Sequence, residues 1–590
     1  MTSNRLIIGL DYGTTFTGVS FCETSSTNAG PLGPHIEVIH DWPSCSKVIT
    51  KEKVPSEVAY LAGGLRWGAN IPHEAKRHMW TKLELDPQNH DDLTKIKREL
   101  FSYSPASHRE PVDIIADFLM QVKTHLFKNL DNRYGQDLWK TLPITLVVTV
   151  PAVWSDRAKD LTLQAVMRAG LDSLQFPQLD RTIVATEPES AAVYTIKSLN
   201  GSAREQQFKN GEGVVVIDMG GGTVDTISYK IISLTPIAVK EATVGGGAQC
   251  GGTFVDRRFL QWLERRLGTE DFKSFAGCRS EEIPRVALSN KAAKILQDFT
   301  MGIKCNYRGD DQSFYIRLPG RLGTIIEDKD RGIYDGEIEM TSDDLREMFD
   351  FSVAQTYKLL TAQKLQAENN GVQIKYVFLV GGFSESPYMY DTIKKFAKDL
   401  RLQAFRPASA WSAVVRGAAM AGLEGGNDHL VKNRKCRRNY GVSCNEDFKP
   451  TKHSESESYI CPYDGRKMAL GQMDWLLKKS EALTTSKRAH ARSEHEYKFW
   501  LRTNKTTTVT LFASDNDIAP RLESDSSVKK VATLEVDLND VPQKHMKRKI
   551  SSGRPYDIIR FTMEIAVQSS LEFSVLVKGK KYSSLTTTYH

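Results

Sequence analysis

The chain has 590 residues, of which 40% are hydrophobic and 26% charged, and its formal net charge is +7. This balance is typical of a globular protein with several domains, and it excludes a disordered chain and a dedicated, strongly basic nucleic-acid-binding protein. The eight cysteines are scattered and contain no Cys-x-x-Cys pair, which argues against a disulfide scaffold and against a zinc site.

The location of the protein follows from two further features of the sequence. The N-terminal residues lack the layout of a secretory signal, because the first apolar run is short and already carries Asp11. No stretch approaches the length of a membrane span. We therefore expect a cytoplasmic protein, with the nucleus as the alternative location, and neither a membrane span nor a specific nucleic-acid partner.

The first predicted element is a β-hairpin over residues 6–21, in which an apolar run leads into Asp-x-Gly-Thr-Thr. Gly13 allows a tight turn, so that backbone N–H groups and the hydroxyls of Thr14 and Thr15 can converge on one phosphate. A carboxylate beside phosphates is repulsive unless a cation lies between them, and Asp11 therefore suggests a Mg²⁺ site. The alternative is an ordinary hairpin with a glycine turn.

Two lysines after this hairpin are candidates for contact with a terminal phosphate, namely Lys76 and Lys82. Most lysines are only solvated, so spacing leaves both open. Apolar periodicity then predicts a helix over residues 111–130, a buried strand over 144–150 and a helix from about 156 to Gly170. A further strand runs into Glu187, where an α/β fold places catalytic groups. The alternative is a carboxylate that only stabilises a helix N-terminus.

A second hairpin, over residues 214–228, repeats the pattern of the first at a domain-scale separation. Its turn contains an aspartate, three glycines, a threonine and a second aspartate: Asp218, Gly220, Gly221, Gly222, Thr223 and Asp225. Two similar lobes would each present a phosphate-binding turn and an acidic residue. One nucleotide and one Mg²⁺ between the lobes would satisfy both turns.

Glycines mark two later candidate positions. Gly251 and Gly252 precede a predicted helix from Asp256, and Gly381 and Gly382 follow a buried strand over 377–380. Without Cβ atoms, the second pair leaves room for a purine or its ribose. Lys294 lies on a predicted helix within 287–299 and is a further candidate for the cleft.

The composition changes near residues 424–428. A basic run follows, which is either a solvated linker or a contact for phosphate or an acidic partner. From Tyr440 the pattern predicts a β-rich region, with strands near 509–512, 532–538, 558–565 and 571–577. Before that change, residues 413–420 read as a helix of small residues suited to tight packing.

Together these motifs resemble the superfamily of actin, the sugar kinases and the 70-kDa heat-shock-protein ATPases. The resemblance rests on the two Asp-Gly-Thr turns, on Glu187-Pro188 and on Gly381-Gly382, in this order along the chain. Segments 148–152 and 187–192 resemble the heat-shock branch. Segments 154–156, 381–387 and 413–418 are most similar to its divergent "heat shock 70 kDa protein 12" branch, which includes fungal relatives.

The resemblance implies an α/β fold, a duplicated ribonuclease-H-like (actin-like ATPase) domain with two lobes over residues 1–425. Lobe I would cover about 1–205, lobe II about 206–400, and residues 401–425 would return to lobe I. A basic linker over 426–439 and a smaller β-rich C-terminal domain over 440–590 would follow.

The resemblance also implies the roles of the site residues, with ATP or ADP and Mg²⁺ as ligands. Asp11, Asp218 and Asp225 would hold the hydrated metal, and Glu187 would orient the attacking water. The β- and γ-phosphates would lie against Gly13, Thr14, Thr15, Gly220, Gly221, Gly222 and Thr223. The branch's aromatic-x-Lys-Leu segment favours Lys82 over Lys76 as the phosphate lysine. Gly251, Gly252, Lys294, Gly381 and Gly382 would complete the nucleotide site.

The sequence departs from standard heat-shock chaperones at the adenine end, where Phe383 and Glu385 replace a serine and a base-stacking arginine. The function that the resemblance implies is that of a chaperone-like ATPase of low turnover. Nucleotide would close the two lobes, and this closure would switch the binding of a client polypeptide or a regulatory protein to the C-terminal domain. The alternatives are a nucleotide-binding regulator with little hydrolysis and a sugar-kinase-type phosphotransferase.

Overall fold

The computed structural model describes residues 4–25, 35–44, 51–86, 109–200, 208–234, 237–282, 288–423, 431–484, 491–551, 553–567, 571–582 and 584–589. The chain divides into two compact units. The first comprises Met1–Trp154 and Leu161–Leu430, and the second comprises Ser155–Asp160 and Val431–His590. The proposed boundaries at 205/206 and 425/426 lie outside the described residues.

The N-terminal stretch forms a mixed sheet around its first strand. The strands here are β1 (Leu6–Tyr12), β2 (Phe16–Glu23), β3 (Glu37–Val38), β4 (Val54–Pro55), β5 (Val58–Leu61), β6 (Gly64–Trp67), β7 (Ile144–Val150) and β8 (Leu179–Thr186). The helices are α1 (Thr81–Glu84), α2 (Pro111–Tyr134), α3 (Asp156–Arg168) and α4 (Glu187–Asn200). The sheet has the order β3-β2-β1-β7-β8, in which β1 is antiparallel to β2 and parallel to β7. Every residue of β1 and β7 is buried, which explains their continuous apolar sequences.

The following stretch builds a second sheet with the same plan. The strands of this stretch are β9 (Gly213–Met219), β10 (Val224–Leu234), β11 (Ile237–Glu241), β12 (Gly246–Ala248), β13 (Phe314–Arg317), β14 (Glu327–Asp328), β15 (Ile333–Tyr334), β16 (Glu337–Met340), β17 (Ile374–Val380) and β18 (Gln403–Phe405). Of these, β13 to β16 form a separate small sheet with the order β13-β16-β15-β14. The helices are α5 (Gly252–Leu267), α6 (Thr269–Ala276), α7 (Asn290–Gln297), α8 (Ser342–Asn369), α9 (Pro387–Asp399) and α10 (Ala413–Leu423). Strand β9 is antiparallel to β10 and parallel to β17, as β1 is to β2 and β7. Strands β11 and β18 extend this sheet from β10 and β17, respectively.

The second unit is rich in β-strands, as the sequence predicts. Its strands are β19 (Val431–Lys435), β20 (Asn439–Asp447), β21 (Ser458–Ile460), β22 (Lys467–Leu477), β23 (Ala482–Thr484), β24 (Ala491–Trp500), β25 (Thr506–Ser514), β26 (Val528–Asp537), β27 (Met546–Ser551), β28 (Arg554–Val567), β29 (Leu571–Val577), β30 (Lys580–Tyr582) and β31 (Ser584–Tyr589). Except for β19 and β23, which pair with each other, they form antiparallel sheets with the orders β21-β22-β20-β25-β26-β31 and β24-β28-β29-β30, and β27 pairs with β28. One apolar core, with Leu511 and Val536 from the first sheet and Ile559 and Val575 from the second, joins them.

Three sequence-based boundaries need correction. Helix α5 begins at Gly252 rather than at Asp256, and α7 ends at Gln297 before a π-helical stretch, Asp298–Lys304. The proposed linker over 426–439 is wrong in its second half, because Val431–Lys435 pair with β23 as a strand and Arg434 is buried there. Val431 is the only apolar residue of this strand, so the apolar alternation that would predict a strand is missing from the sequence. The buried Arg434 can nevertheless pack its aliphatic stem against apolar surface. None of the helices in the described residues is long and apolar enough to span a bilayer.

The small-residue helix α10 packs against the first sheet. It packs closely on α4, which begins at Glu187, and on β1. Ser20 Oγ donates to the backbone oxygen of Val415 at 2.7 Å, so α10 is bonded to the first hairpin as well. A Cβ atom at Gly417 would lie only 1.8 Å from the backbone oxygen of Ser190 on α4. The contact between the two helices therefore requires glycine at 417.

We expect the Gly417→Ala variant to lose about 1–3 kcal/mol of unfolding free energy, because the added methyl group meets backbone that cannot rotate away. Urea unfolding followed by circular dichroism measures this loss. Gly63→Ala is the matched control, since a Cβ there would meet no atom within 4 Å. Equal unfolding midpoints for the two variants would contradict the close α4–α10 contact.

Candidate functional site

A cavity of about 920 Å³ in the first unit collects most of the residues that the sequence singles out. It lies where the turns after β1 and β9 meet the segment after β17. The predicted residues that line it are Asp11, Gly13, Thr14, Thr15, Lys82, Glu187, Asp218, Gly220, Gly221, Gly222, Thr223, Asp225, Gly252, Gly381 and Gly382.

Three predicted positions lie outside this lining. Gly251 is behind it, where its backbone N–H donates to the oxygen of Gly222 at 3.2 Å and thus supports the second turn. Lys294 lines a separate, more open hollow beside His73. Of the two candidate phosphate lysines, Lys82 lines the cavity and Lys76 does not.

The two glycine turns approach each other directly. A Cβ atom at Gly221 would lie 2.7 Å from Thr15 Oγ1, and one at Gly222 would lie 3.5 Å from the methyl group of Thr14. The turn of the second hairpin is further fixed by the N-terminus of α5, because Thr253 N–H donates to the oxygen of Gly221 at 2.9 Å. The sequence predicts each turn separately, and the tertiary structure brings them to one point.

Asp11 is held by two donors at the end of β1. Its Oδ2 atom accepts from Lys53 Nζ at 2.6 Å, and its Oδ1 atom accepts from Thr149 Oγ1 at 2.8 Å. Burial acts to raise the pKa of Asp11, but Lys53 and Lys82 outweigh burial and keep this pKa below its usual range. In turn, Asp11 outweighs the effect of burial on Lys53 and raises its pKa. Both groups are therefore charged at neutral pH.

Lys82 and Glu187 form a second buried ion pair. Lys82 lies on the short helix α1, and its ammonium group donates to Glu187 Oε1 at the start of α4. The Lys82 ammonium also lies 5.5 Å from the centre of the Trp154 ring. Burial raises the pKa of Glu187 although Lys82 opposes it. Glu187, which the sequence places at the end of a strand, therefore faces Lys82 inside the cavity.

Asp218 and Asp225 face each other across the second hairpin, as paired residues of β9 and β10. Burial and the nearby carboxylate of Glu187 raise the pKa of Asp218 to about 7. Burial also raises the pKa of Asp225, although Thr223 Oγ1 donates to its carboxylate at 2.8 Å. Gly381, with a φ of +83°, leaves room for Asp218, because a Cβ there would lie 2.4 Å from Asp218 Oδ1.

These carboxylates suit a hydrated Mg²⁺ ion better than a directly ligated metal. In the described part of the chain, no group of three or more His, Cys, Asp or Glu side chains is placed to hold a metal ion. Mg²⁺ keeps several waters and is commonly bound through one or two carboxylates and substrate phosphates. Asp218 and Asp225 line the cavity and form no ion pair among the described residues, which fits this type of donor set.

Aromatic and acidic residues form the far end of the cavity. Phe383 is buried and stacks on Phe349, while Trp411 meets Phe16 edge-on at 5.5 Å between ring centres. Glu385 Oε1 accepts from the backbone N–H of Trp411 at 3.2 Å, which ties the two residues together. The end of the cavity is therefore flat and apolar with a carboxylate at its edge.

Sequence reasoning missed a lysine–aspartate pair at this end and Lys53 near Asp11. Lys304 Nζ donates to Asp256 Oδ1 at 2.6 Å and to the oxygen of Gly252 at 3.1 Å. Neither lysine has a sequence signal that separates it from solvated lysines. Lys53 directly precedes β4, which pairs with β2, but its sequence neighbours do not reveal where its ammonium group lies.

Comparison with known proteins shows two matched regions in the chain. A family model described as Hsp70 protein matches residues 110–432, and a model described as a domain of unknown function (DUF8568) matches residues 434–588. Human heat shock 70 kDa protein 12A is 21% identical over 640 aligned residues, which cover 97% of this chain and 91% of that protein. Human heat shock 70 kDa protein 12B is 23% identical over 79% of this chain and 74% of its own length. A chaperone protein HscA homolog from Laribacter hongkongensis is 25% identical over 72% of this chain and 60% of its own length.

We expect Asp218→Asn to stabilise the ligand-free protein at neutral and higher pH. The folded-state pKa of Asp218, about 7, lies above its ordinary value of 3.8, so its contribution to stability is present at low pH and is lost as the pH rises through 7. The neutral amide removes that loss, which amounts to about 1 kcal/mol or more. Thermal unfolding between pH 4 and pH 8 measures the gain, which should vanish toward pH 4.

Asp310→Asn is the control for this experiment, because Asp310 is an exposed carboxylate. It should leave the unfolding temperature nearly unchanged over the same pH range. A stabilisation by Asp218→Asn that does not depend on pH would contradict the raised pKa as its cause.

Proposed function

The chain belongs to the 70-kDa heat-shock protein (Hsp70) family, and on that premise we propose that it is an Mg²⁺-dependent, chaperone-like ATPase of low turnover. Its relatives support a nucleotide-binding function of the chaperone type. The observation that carries the proposal is the meeting of two glycine-rich turns at one cavity that also contains Lys82 and Glu187.

We propose that the two sheets are duplicated ribonuclease-H-like lobes. Support comes from their shared strand order and directions, because β1 is antiparallel to β2 and parallel to β7, and β9 is antiparallel to β10 and parallel to β17. Lobe I would cover about 1–205 and lobe II about 206–400, with 401–425 returning to lobe I. A β-rich domain over 440–590 would follow. Closure of the lobes on nucleotide would then change the affinity of that domain for a client polypeptide or a regulatory protein.

In the proposed mechanism, positioning and charge neutralisation provide most of the catalysis. The backbone N–H groups and hydroxyls of the two turns bind the β- and γ-phosphates. Asp218 and Asp225, with Asp11 beside them, would hold a hydrated Mg²⁺, which when bound neutralises phosphate charge. Lys82 contacts the γ-phosphate. Glu187, placed by its ion pair with Lys82, accepts a hydrogen bond from the attacking water and orients it.

We expect Lys82→Ala and Glu187→Gln to reduce phosphate release from ATP by about 100-fold or more, because each removes a group that faces the reacting phosphate. Steady-state phosphate release in the presence of Mg²⁺ measures the loss. Lys76→Ala is the matched control, since Lys76 lies outside the cavity lining, and it should keep the wild-type rate.

The same assay distinguishes the proposal from its alternatives. Tight ATP binding by the wild type without phosphate release would identify a nucleotide-binding regulator. Formation of ADP only after addition of a small hydroxyl-bearing acceptor would identify a phosphotransferase. A phosphate-release rate that Lys82→Ala leaves unchanged would remove Lys82 from the mechanism.

At the far end of the cavity, we propose that the base of the nucleotide packs against the indole of Trp411. A base needs a flat apolar surface, and here Glu385 stands where standard members of the family have a base-stacking arginine. The position of Trp411 in the cavity lining and its backbone hydrogen bond to Glu385 support this assignment.

We expect Trp411→Ala to weaken ATP binding by about tenfold, because the stacking contact between the indole and the base is lost. Inorganic tripolyphosphate, which has no base, should bind the variant and the wild type equally. Isothermal titration with both ligands measures the difference. Trp411→Phe should retain most of the affinity for ATP, and an equal loss for both ligands would contradict a contact with the base.

A further inference from the structure

We propose that Lys53 is a second phosphate-binding cation, which allows this chain to bind a nucleoside triphosphate without a divalent metal. The juxtaposition that carries this inference is the Lys53 ammonium group 2.6 Å from Asp11 Oδ2 inside the cavity that also contains Lys82. The inference rests on the proposed nucleotide binding and adds to it a group that the resemblance does not supply.

The backbone fixes Lys53 beside the first glycine turn. Lys53 directly precedes β4, and the next residue, Val54, pairs with Thr17 of β2. Two further bonds join this segment to the hairpin: Ser56 N–H donates to the oxygen of Thr15 at 2.9 Å, and the hydroxyls of Ser56 and Thr17 lie 2.8 Å apart. The position of Lys53 is therefore set by the same hairpin that presents Thr14 and Thr15.

A glycine makes room for the side chain of Lys53. Gly18 is the cross-strand partner of Asp11 in the first hairpin. A Cβ atom at Gly18 would lie 3.2 Å from Lys53 Cγ and 3.4 Å from its Cε, so the aliphatic stem lies over the glycine. The side chain is 9% exposed, and its end reaches Asp11 from this side. The side chain of Lys53 therefore passes over Gly18 and reaches the end of the cavity that contains Asp11.

The charges around this end explain what a second lysine contributes. Four carboxylates line it, and the two lysines pair with two of them, Lys82 with Glu187 and Lys53 with Asp11. Asp218 and Asp225 are left to face a metal. With Lys82 alone, a metal-free triphosphate would meet an excess of negative charge. Two ammonium groups offset part of that charge, and charge-assisted bonds to phosphate are among the strong hydrogen bonds in proteins.

Lys53 also retains the capacity to donate to phosphate. An ammonium group has three N–H donors, and Asp11 is the one hydrogen-bond acceptor found for Lys53 among the described residues. A lysine that served only to neutralise Asp11 would not need to line the cavity. Because Lys53 does line it, beside Thr14 and Thr15, its remaining donors can reach a phosphate that these threonines hold.

The test is isothermal titration of the full chain with ATP, in excess Mg²⁺ and in EDTA. We expect the wild type to bind in EDTA within about tenfold of its affinity in Mg²⁺, and Lys53→Met to lose about 10–100-fold in EDTA but clearly less in Mg²⁺. Lys53→Arg keeps the charge and should keep most of the metal-free binding. Lys76→Met is the matched control and should bind as the wild type does.

A second variant separates phosphate contact from a structural role, since Lys53→Met leaves Asp11 as a buried carboxylate without its lysine. The double variant Asp11→Asn with Lys53→Met removes that charge, and we expect it to recover thermal stability without recovering ATP binding in EDTA. Recovery of both would overturn the proposal. So would wild-type binding that requires Mg²⁺, or an equal loss by Lys53→Met in both buffers. If the wild type binds no ATP in either buffer, the proposed nucleotide function itself fails.

Discussion

The close approach of two backbone turns is the constraint on which the functional site depends. Thr15 of the first hairpin and Gly221 of the second are so near that no larger residue fits at 221 without displacement. Each turn is anchored at the end of a sheet whose central strand is parallel to one neighbour and antiparallel to the other. The cavity exists because both sheets deliver their turns to the same place, and α5 and α10 hold them there.

Electrostatics then gives the two ends of the cavity different properties. At the phosphate end, ion pairs of Lys82 with Glu187 and of Lys53 with Asp11 keep charged groups buried. No ion pair with Asp218 is found among the described residues, and burial together with Glu187 raises its pKa. Buried like charges are unfavourable until a cation offsets them, so the ligand-free site is less stable than a neutral one would be. Because a bound ligand would offset this unfavourable energy, ligand binding and protein stability are interdependent.

The Hsp70 match and the C-terminal region are two distinct parts of the chain. The Hsp70 model ends at residue 432, and residues 434–588 match a domain to which no function is attached. That region consists of antiparallel sheets around a common apolar core. In the proposed function, Trp411 and Glu385 form the end of the cavity that binds the base, and the C-terminal region binds the partner. The proposed function thus combines two phosphate-binding turns with a base end and a partner-binding region particular to this chain.

The sequence by itself determined the local elements and identified the residues proposed to bind phosphate. Strands β1, β7 and β9, the two turns and Glu187 follow from apolar runs, glycines and acidic residues, because these signals act over a few neighbouring residues. Which further lysine enters the cavity was decided by the tertiary structure. The aromatic-x-Lys-Leu segment favours Lys82, whereas Lys53 has no comparable signal and Lys294, a candidate from its helix, lies in a separate hollow. Only the pairing of β4 with β2 brings Lys53 to Asp11, since the reach of a flexible side chain is set by contacts distant along the chain.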